Sequence, residues 1–241
     1  MNKNLSEDLQ TKAEAIHRFL NTEFKRNHDL VPRPFNIEIT GPPSCGKSEI
    51  IEKLDTSLRR MKFKVKPVQE GAKYVRDVDR STPLYNLSTG VYALNELRSL
   101  ISSRSIDIGI FERCAFDAYC WIEYWRKNGK LKNQEANSYQ EFFLSRFWTD
   151  NIDVVYFVIC DPEVAVQRES KIHAFNQEKG GTTNVPTIQA LVDIFKNAHR
   201  HLYEKFPQLQ IIDTTNLTEQ EMVDLVLETT MERLVNKINS S

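Results

Sequence analysis

The sequence predicts an α/β fold in which a parallel sheet of five strands lies between two layers of helices. Apolar runs with the period of a strand alternate along the chain with segments whose apolar residues follow the 3.6-residue period of a helix. One run, 154–159, is apolar throughout, which is typical of a central parallel strand covered on both faces. Because alternating strands and helices favour right-handed crossovers within one sheet, we expect a three-layer domain.

Length and composition narrow the class of protein. The chain has 241 residues, of which 40% are hydrophobic and 27% charged, as is ordinary for a globular domain. Its formal net charge of −1 argues against a dedicated nucleic-acid-binding face. The four cysteines lack metal-ligand spacing and are expected to be reduced. Without an apolar run of membrane-spanning length or a signal-peptide core, the sequence predicts a cytoplasmic protein with no membrane contact.

We expect an N-terminal segment, residues 1–34, and a main domain, residues 35–241. Residues 5–25 carry their apolar side chains on one helical stripe, which predicts an amphipathic helix packed on the domain. Residues 27–34 are polar and contain two prolines, so they predict a stiff link to the first strand.

The elements of the main domain are predicted in order from their periodicity. Strands are expected at 35–39, 62–68, 106–111, 154–159 and 210–212. Helices are expected at 50–58, 86–104, 115–148, 188–202 and 218–234, together with one that Asp161 caps. Pro67 and the lysines around it indicate an edge strand. The polar segment 168–186, which contains Gly180 and Gly181, is expected to form a mobile lid.

Residues 41–48 match the complete pattern G-x-x-x-x-G-K-S between a predicted strand and a predicted helix. Its glycines permit a tight turn whose backbone N–H groups point at a polyphosphate. In this pattern Lys47, expected to be exposed, reaches the β- and γ-phosphates, and the Ser48 hydroxyl ligates Mg²⁺. The sequence therefore predicts that ATP and Mg²⁺ bind a loop formed by Gly41, Pro42, Pro43, Ser44, Cys45, Gly46, Lys47 and Ser48.

Charged residues end two other strands at the edge where ligands of a parallel sheet collect. The Glu70 carboxylate could accept a proton from an attacking hydroxyl, or it could be a solvated strand-end acid. Glu112 could hold Mg²⁺ through water while Arg113 clamps a phosphate or the acceptor, or the two could form a structural ion pair. Asp117 could face the same pocket or serve as a helix-start acid.

Two further cations lie at the start of the predicted lid. Arg168 and Lys171 share one face of a helix, so both could close over the phosphates and neutralise the charge of the transferring group. The alternative is that both are solvated surface residues.

These patterns together resemble a known family. The loop 41–48, the strand ends 68–70 and 111–113, and the helix 161–169 with its polar lid are similar to those of the P-loop nucleoside and nucleotide kinases, the deoxynucleoside kinase and thymidylate kinase group. The resemblance spans about residues 35–235. The run from Glu112 through Arg113 to Asp117 also resembles the Asp-Arg-x-x-x-Asp pattern of related kinase-like ATPases.

The resemblance implies a P-loop NTPase fold with sheet order 2-3-1-4-5 and a helical lid. It implies that Glu70 is the base that activates a 5′-hydroxyl and that Arg113 is the arginine of the Glu-Arg-Ser or Asp-Arg motif. It also implies that Arg168 is the first arginine of the lid. Where deoxynucleoside kinases have serine in the pattern Glu-Arg-Ser, this chain has Cys114, so the acceptor stays open.

The predicted function is ATP- and Mg²⁺-dependent phosphoryl transfer to a hydroxyl or phosphate of a nucleoside, nucleotide or similar small acceptor. Two alternatives stay open. A polynucleotide or DNA-base kinase would use the same machinery beside a basic, aromatic-lined groove, for which residues 62–76 are the candidate. A nucleotide-binding ATPase switch would bind ATP without a phosphorylated product. The oligomeric state is open, and a homodimer is one of the options.

Overall fold

The structure is a computed structural model that describes residues 3–22, 33–173 and 184–239. The strands are β1 (Phe35–Thr40), β2 (Val65–Val68), β3 (Ile108–Glu112), β4 (Val154–Ile159) and β5 (Leu209–Asp213). The helices are α1 (Lys3–Thr22), α2 (Lys47–Arg60), α3 (Pro83–Ile101), α4 (Ala115–Lys127), α5 (Asn133–Phe143), α6 (Arg146–Thr149), α7 (Pro162–His173), α8 (Val185–Leu202) and α9 (Glu219–Asn239), with a short 3-10 helix at Gly71–Lys73.

The sheet is parallel throughout, and its strand order is β2-β3-β1-β4-β5, which confirms the predicted α/β architecture. Strand β1 lies at the centre, where Ile37 is paired with Ile110 of β3 on one side and with Val154 of β4 on the other. Strand β2 is at an edge of the sheet, and Pro67 lies in it as expected.

The core lies on both faces of the central strands. Every residue of β1 and of β4 is buried, which is the pattern of parallel strands covered by helices on each side. Helix α2 buries Ile50, Leu54 and Leu58, as their helical spacing predicts. Helix α1 joins the same core through Leu9 and Ile16 and packs against α9.

Several predicted boundaries differ from the structure. The aromatic-rich stretch 115–148 forms α4, α5 and α6 instead of one helix, because the chain turns at Gly129, whose φ is +69°. Strand β2 begins at Val65 because Lys62 has a left-handed backbone in the turn after α2. Helix α3 begins at Pro83, a favoured first residue of a helix.

Some predictions fall outside the described residues. They are the end of the N-terminal helix at 23–25, the link at 27–32 and the centre of the lid at 174–183. Residues 168–173 of the predicted lid continue α7, and residues 185–186 begin α8. Within the described part of the chain, no helix is long and apolar enough to cross a membrane.

Gly41 has a close backbone neighbour that a larger residue would displace. Its φ is +151°, and an added Cβ would lie 1.9 Å from the carbonyl oxygen of Val158 in β4. We expect Gly41→Ala to lower the free energy of unfolding by about 3 kcal/mol, at the upper end of overpacking costs. Urea unfolding measures the change.

The matched control is Gly129→Ala, since Gly129 also has a positive φ of +69° but an added Cβ would meet no atom within 4 Å. That variant isolates the backbone cost, about 1 kcal/mol. Equal losses of unfolding free energy in the two variants would contradict the proposed clash between an added Cβ at position 41 and β4.

Candidate functional site

The glycine-rich loop 41–48 connects β1 directly to α2. Ser44 and Gly46 have left-handed backbones, with φ of 59° and 94°, and Gly46 is the cap residue of α2. These turns wrap the chain around the N-terminus of a helix, where backbone N–H groups lack partners within the helix. The loop therefore has the local geometry that is typical of polyphosphate-binding loops.

Lys47 lies inside this loop. Its side chain is only 6% exposed, so the prediction of an exposed lysine is wrong. The Nζ donates a hydrogen bond of 2.7 Å to the carbonyl oxygen of Pro42, which holds the ammonium within the turn. Burial lowers the pKa of Lys47, and the charge of Arg113 lowers it further. A phosphate bound in the loop would offset this cost because it brings negative charge to the ammonium.

The two predicted metal ligands meet across the crevice between α2 and β3. The Ser48 hydroxyl donates a hydrogen bond of 3.1 Å to Oε1 of Glu112. One hydroxyl and one carboxylate fit Mg²⁺, which keeps several waters and takes few ligands from protein. Among residues 3–22, 33–173 and 184–239, no three His, Cys, Asp or Glu side chains form a cluster that could hold a metal.

Arg113 joins the end of β2, the start of α4 and the loop. Its Nη1 donates to Oδ1 of Asp117 at 2.7 Å and to the carbonyl oxygen of Gly41 at 3.2 Å. Its Nε lies 2.9 Å from Oε1 of Glu70, but the N–H lacks hydrogen-bond geometry, so this contact is an ion pair only. Burial opposes the charge, yet Asp117 and Glu70 outweigh it and raise the pKa of Arg113.

The structure distinguishes between the alternatives at these strand ends. Glu112 and Arg113 do not form the ion pair considered as one alternative, because Arg113 pairs with Glu70 and Asp117 while Glu112 accepts from Ser48. Asp117 is in the first turn of α4, and its carboxylate accepts hydrogen bonds from Arg113 and from the Thr40 hydroxyl. Asp117 is therefore a helix-start acid that contacts Arg113, and its role in the site stays a prediction.

Arg168 lies next to the loop but contacts it through another residue. Its Nη1 and Nη2 donate to the hydroxyl and carbonyl oxygens of Thr214, at 3.1 and 2.8 Å. The Thr214 hydroxyl in turn donates to the carbonyl oxygen of Cys45 at 2.9 Å. Arg168 is therefore tied to the end of β5 instead of lying over the loop, and the side chain of Lys171 is outside the described residues.

Two acidic residues near the loop were missed by the sequence analysis. On α7, Glu169 accepts a hydrogen bond from the Ser44 hydroxyl, and its position beside Arg168 was the available signal. In β1, Glu38 is fully buried and accepts hydrogen bonds from the backbone N–H groups of Cys114, Phe116 and Asp117. A charged residue between two buried isoleucines of a central strand was the signal for Glu38.

No protein-family model and no curated protein matches the sequence. Solved structures do match the fold. The deoxyadenosine kinase of M. mycoides with bound dATP is similar with a TM-score of 0.55 and 14% sequence identity, over 81% of this chain and 98% of that chain.

Two other structures of that kinase give the same result. With the products dCMP and a flexible dCDP bound, the TM-score is 0.55 at 16% identity, over 86% of this chain and 100% of that chain. With bound dCTP, the TM-score is 0.52 at 16% identity, over the same shares of the two chains. At this identity the likeness is one of fold: the chain has the P-loop kinase fold, with the strand order that the resemblance in sequence implies.

Proposed function

We propose that the protein is a P-loop kinase that transfers the γ-phosphoryl group of ATP to a nucleoside, a nucleotide or a similar small acceptor. The proposal is carried by the contact between Glu70 and Arg113 beside the loop, with Arg113 also bonded to Gly41. This contact brings a carboxylate and a fixed cation to the place where the loop would hold the phosphates. Phosphoryl transfer needs little more than such positioning and charge.

Each residue has a role in this proposal. The N–H groups of the loop and the Lys47 ammonium hold the β- and γ-phosphates. Arg113, fixed by Asp117, lies where its guanidinium can bind the transferring group or the acceptor. Glu70 is one-third exposed, so its carboxylate can accept the proton of an acceptor hydroxyl in the crevice.

Ser48 and Glu112 would hold Mg²⁺, directly or through water. When bound, the ion would offset the negative charge of the phosphates. The hydrogen bond between Ser48 and Glu112 supports this assignment because it brings the two oxygen ligands to one point.

The bound molecules named for the similar structures support a nucleoside or nucleotide acceptor. Those structures of the M. mycoides deoxyadenosine kinase contain dATP, dCTP, or the products dCMP and dCDP. We infer an acceptor of this chemical class for the present chain.

The alternative of a polynucleotide kinase draws less support from the surface. Two of the lysines in the candidate groove at residues 62–76 already have partners: Lys66 pairs with Glu96 at 3.2 Å, and Lys73 donates to Gln69 at 3.1 Å. Fewer free cations remain for a phosphate backbone, which is why we favour a small acceptor.

The test is whether an acceptor stimulates ADP release. Purified protein, ATP and Mg²⁺ are mixed with single nucleosides and nucleoside monophosphates, and ADP is measured by a coupled assay. We expect at least one acceptor to raise the rate by about tenfold or more over the rate without acceptor. A uniform slow rate with every acceptor would contradict the proposal and favour an ATPase switch.

The predicted lid, residues 168–186, provides a further prediction through Arg168. We expect Arg168→Ala to lower kcat by more than about tenfold and to leave the Kd for ATP within a few-fold, because the arginine would engage the phosphates only when the lid closes. The control is Arg146→Ala, an exposed arginine on α6 that pairs only locally with Asp150. Wild-type kinetics of the Arg168 variant at saturating substrates would limit Arg168 to its bond with Thr214.

A further inference from the structure

Glu38 supplies hydrogen bonds that helix α4 cannot make for itself. The first N–H groups of a helix have no partner within it and are usually satisfied by a cap side chain. The side chain of the cap residue, Cys114, makes no such bond. Instead Oε1 of Glu38 accepts from the N–H groups of Cys114 and Asp117 at 2.9 and 2.8 Å, and Oε2 accepts from Phe116 at 3.2 Å.

This cap lies at a sharp turn that carries the site. The chain passes from β3 to α4 through Arg113, whose φ of 67° is rare for a residue other than glycine and needs support from its surroundings. Asp117 uses its N–H to bind Glu38 and its carboxylate to bind Arg113. Glu38 is therefore connected to Arg113 through a single residue.

The position of Glu38 in β1 links this turn to the loop. Gly41 lies three residues after Glu38, directly past the end of β1, and its carbonyl oxygen accepts a hydrogen bond from Arg113. Burial raises the pKa of Glu38 to about 8, against the opposing effect of the three N–H donors. A fully buried carboxylate is costly in a strand unless it makes such bonds, so its place in a central strand calls for a role.

We propose that Glu38 is a positioning residue for the phosphoryl transfer. Glu38 fixes the first turn of α4 and thereby holds Arg113 and Asp117 beside the phosphate loop. The inference rests on the proposed function, because it names the residue that holds the side chains of the same site in place. Glu38 does not touch the substrates. It acts through Asp117, and its loss should reduce catalysis more than nucleotide binding.

The experiment compares Glu38→Ala and Glu38→Gln with Asn36→Ala. Asn36 is a matched control because it is also fully buried in β1, two residues away on the same face, and its amide donates to Asn151, away from the site. For each variant we measure kcat, the Kd for ATP, and amide hydrogen exchange at the start of α4.

We expect Glu38→Ala to lower kcat by at least about tenfold, to leave the Kd for ATP within about threefold, and to speed amide exchange at 114–117. Glu38→Gln keeps one acceptor oxygen, so it should restore part of kcat. If the alanine variant does not fold, the glutamine variant is the one whose kinetics and exchange are measured. Asn36→Ala should lower stability without a change in kcat.

Equal falls in kcat for the Glu38 and Asn36 variants would overturn the proposal, and so would faster exchange at α4 with unchanged kcat. Both results would make Glu38 a structural cap only. Failure of the proposed function can be distinguished from failure of this inference. In the first case wild-type protein would transfer no phosphoryl group, while faster amide exchange in the Glu38 variants would still show that Glu38 caps α4.

Two thiols are in contact beside the loop. The Sγ of Cys160, directly after β4, donates to the Sγ of Cys45 at 3.1 Å. This hydrogen bond lowers the pKa of Cys45 and raises the pKa of Cys160. The charges of Lys47 and Arg168 lower the pKa of Cys45 further, against the effect of burial. Thiols at this separation need to approach by only about 1 Å to reach disulfide length.

We infer that Cys45 and Cys160 form a site of reversible oxidation by a small peroxide. The Cys45 thiol releases its proton, and the thiolate attacks one peroxide oxygen to give a sulfenic acid. The O–O bond breaks, and the expelled hydroxide takes up a proton and leaves as water. The Cys160 sulfur then attacks the Cys45 sulfur, and the S–O bond breaks with release of a second water. Two thiols and one hydrogen peroxide thus give one disulfide and two waters. The shift of Cys45 would distort the loop and weaken ATP binding.

The test treats the full chain with hydrogen peroxide and maps disulfides by mass spectrometry. The other two cysteines, Cys114 and Cys120, are an internal control, since burial raises the pKa of both thiols whereas the pKa of the attacking thiol, Cys45, is lowered. We expect a crosslink between 45 and 160, weaker ATP binding that dithiothreitol restores, and no crosslink in Cys160→Ser. Oxidation of Cys114 or Cys120 first, or ATP binding unaltered in the crosslinked protein, would overturn this inference.

Discussion

Lys47→Ala is expected to abolish phosphoryl transfer, a loss of at least about 10³-fold in kcat, while the protein stays folded. The ammonium lies inside the loop 41–48, where it would be aimed at the β- and γ-phosphates of bound ATP. Its removal also removes a buried charge whose pKa is lowered by burial, so the free energy of unfolding should not fall. The rate at saturating ATP tests the loss of phosphoryl transfer. Urea unfolding tests the free energy of unfolding.

Lys53→Ala is the matched control for this variant. Lys53 lies on the same helix, α2, but its side chain is exposed and pairs with Glu219 at 3.5 Å. We expect that variant to keep wild-type activity, because the Lys53 side chain is exposed and its partner is on α9 instead of in the loop. Unaltered turnover in Lys47→Ala would refute the kinase function.

Glu70→Gln is expected to lower kcat by roughly 10²–10⁴-fold, the usual scale of general-base catalysis. The amide cannot accept the proton of an attacking hydroxyl. Arg113 would keep its bonds to Asp117 and Gly41, so the change in ATP affinity should be smaller. Steady-state kinetics and equilibrium ATP binding measure the two effects.

The control for this variant is Glu96→Gln. Glu96 is a partly buried carboxylate on α3 that pairs with Lys66, outside the site, and its loss should leave kcat unchanged. A collapse of nucleotide binding in Glu70→Gln would show instead that Glu70 holds a metal or supports the loop.

The loop and the order of elements could be predicted because their signals are local. The pattern 41–48 is contiguous, and the apolar run of β4 has the length and composition of a buried strand. The strand order came from the resemblance to a family, since periodicity does not specify which strands pair. The break after α4 was missed, although Gly129 is the usual signal for the end of a helix.

The parts of the site that were missed depend on contacts between distant residues. The burial of Lys47 follows from how the loop folds around it, which a motif does not state. Glu38 caps a helix that begins 77 residues later, and Arg168 binds Thr214, 46 residues away. A sequence shows the chemistry of such residues but does not identify the partners that the fold brings to them.

The proposed activity of the protein is the transfer of a phosphoryl group, in the crevice beside the loop, to a nucleoside or nucleotide. The most direct measurement incubates the protein with ATP labelled at the γ-phosphate, Mg²⁺ and one acceptor at a time, and then identifies the labelled product by chromatography and mass. We predict that label appears in at least one nucleoside or nucleotide with wild-type protein and in none with Lys47→Ala. Label found only in inorganic phosphate, at equal rates with and without every acceptor, would contradict the claim.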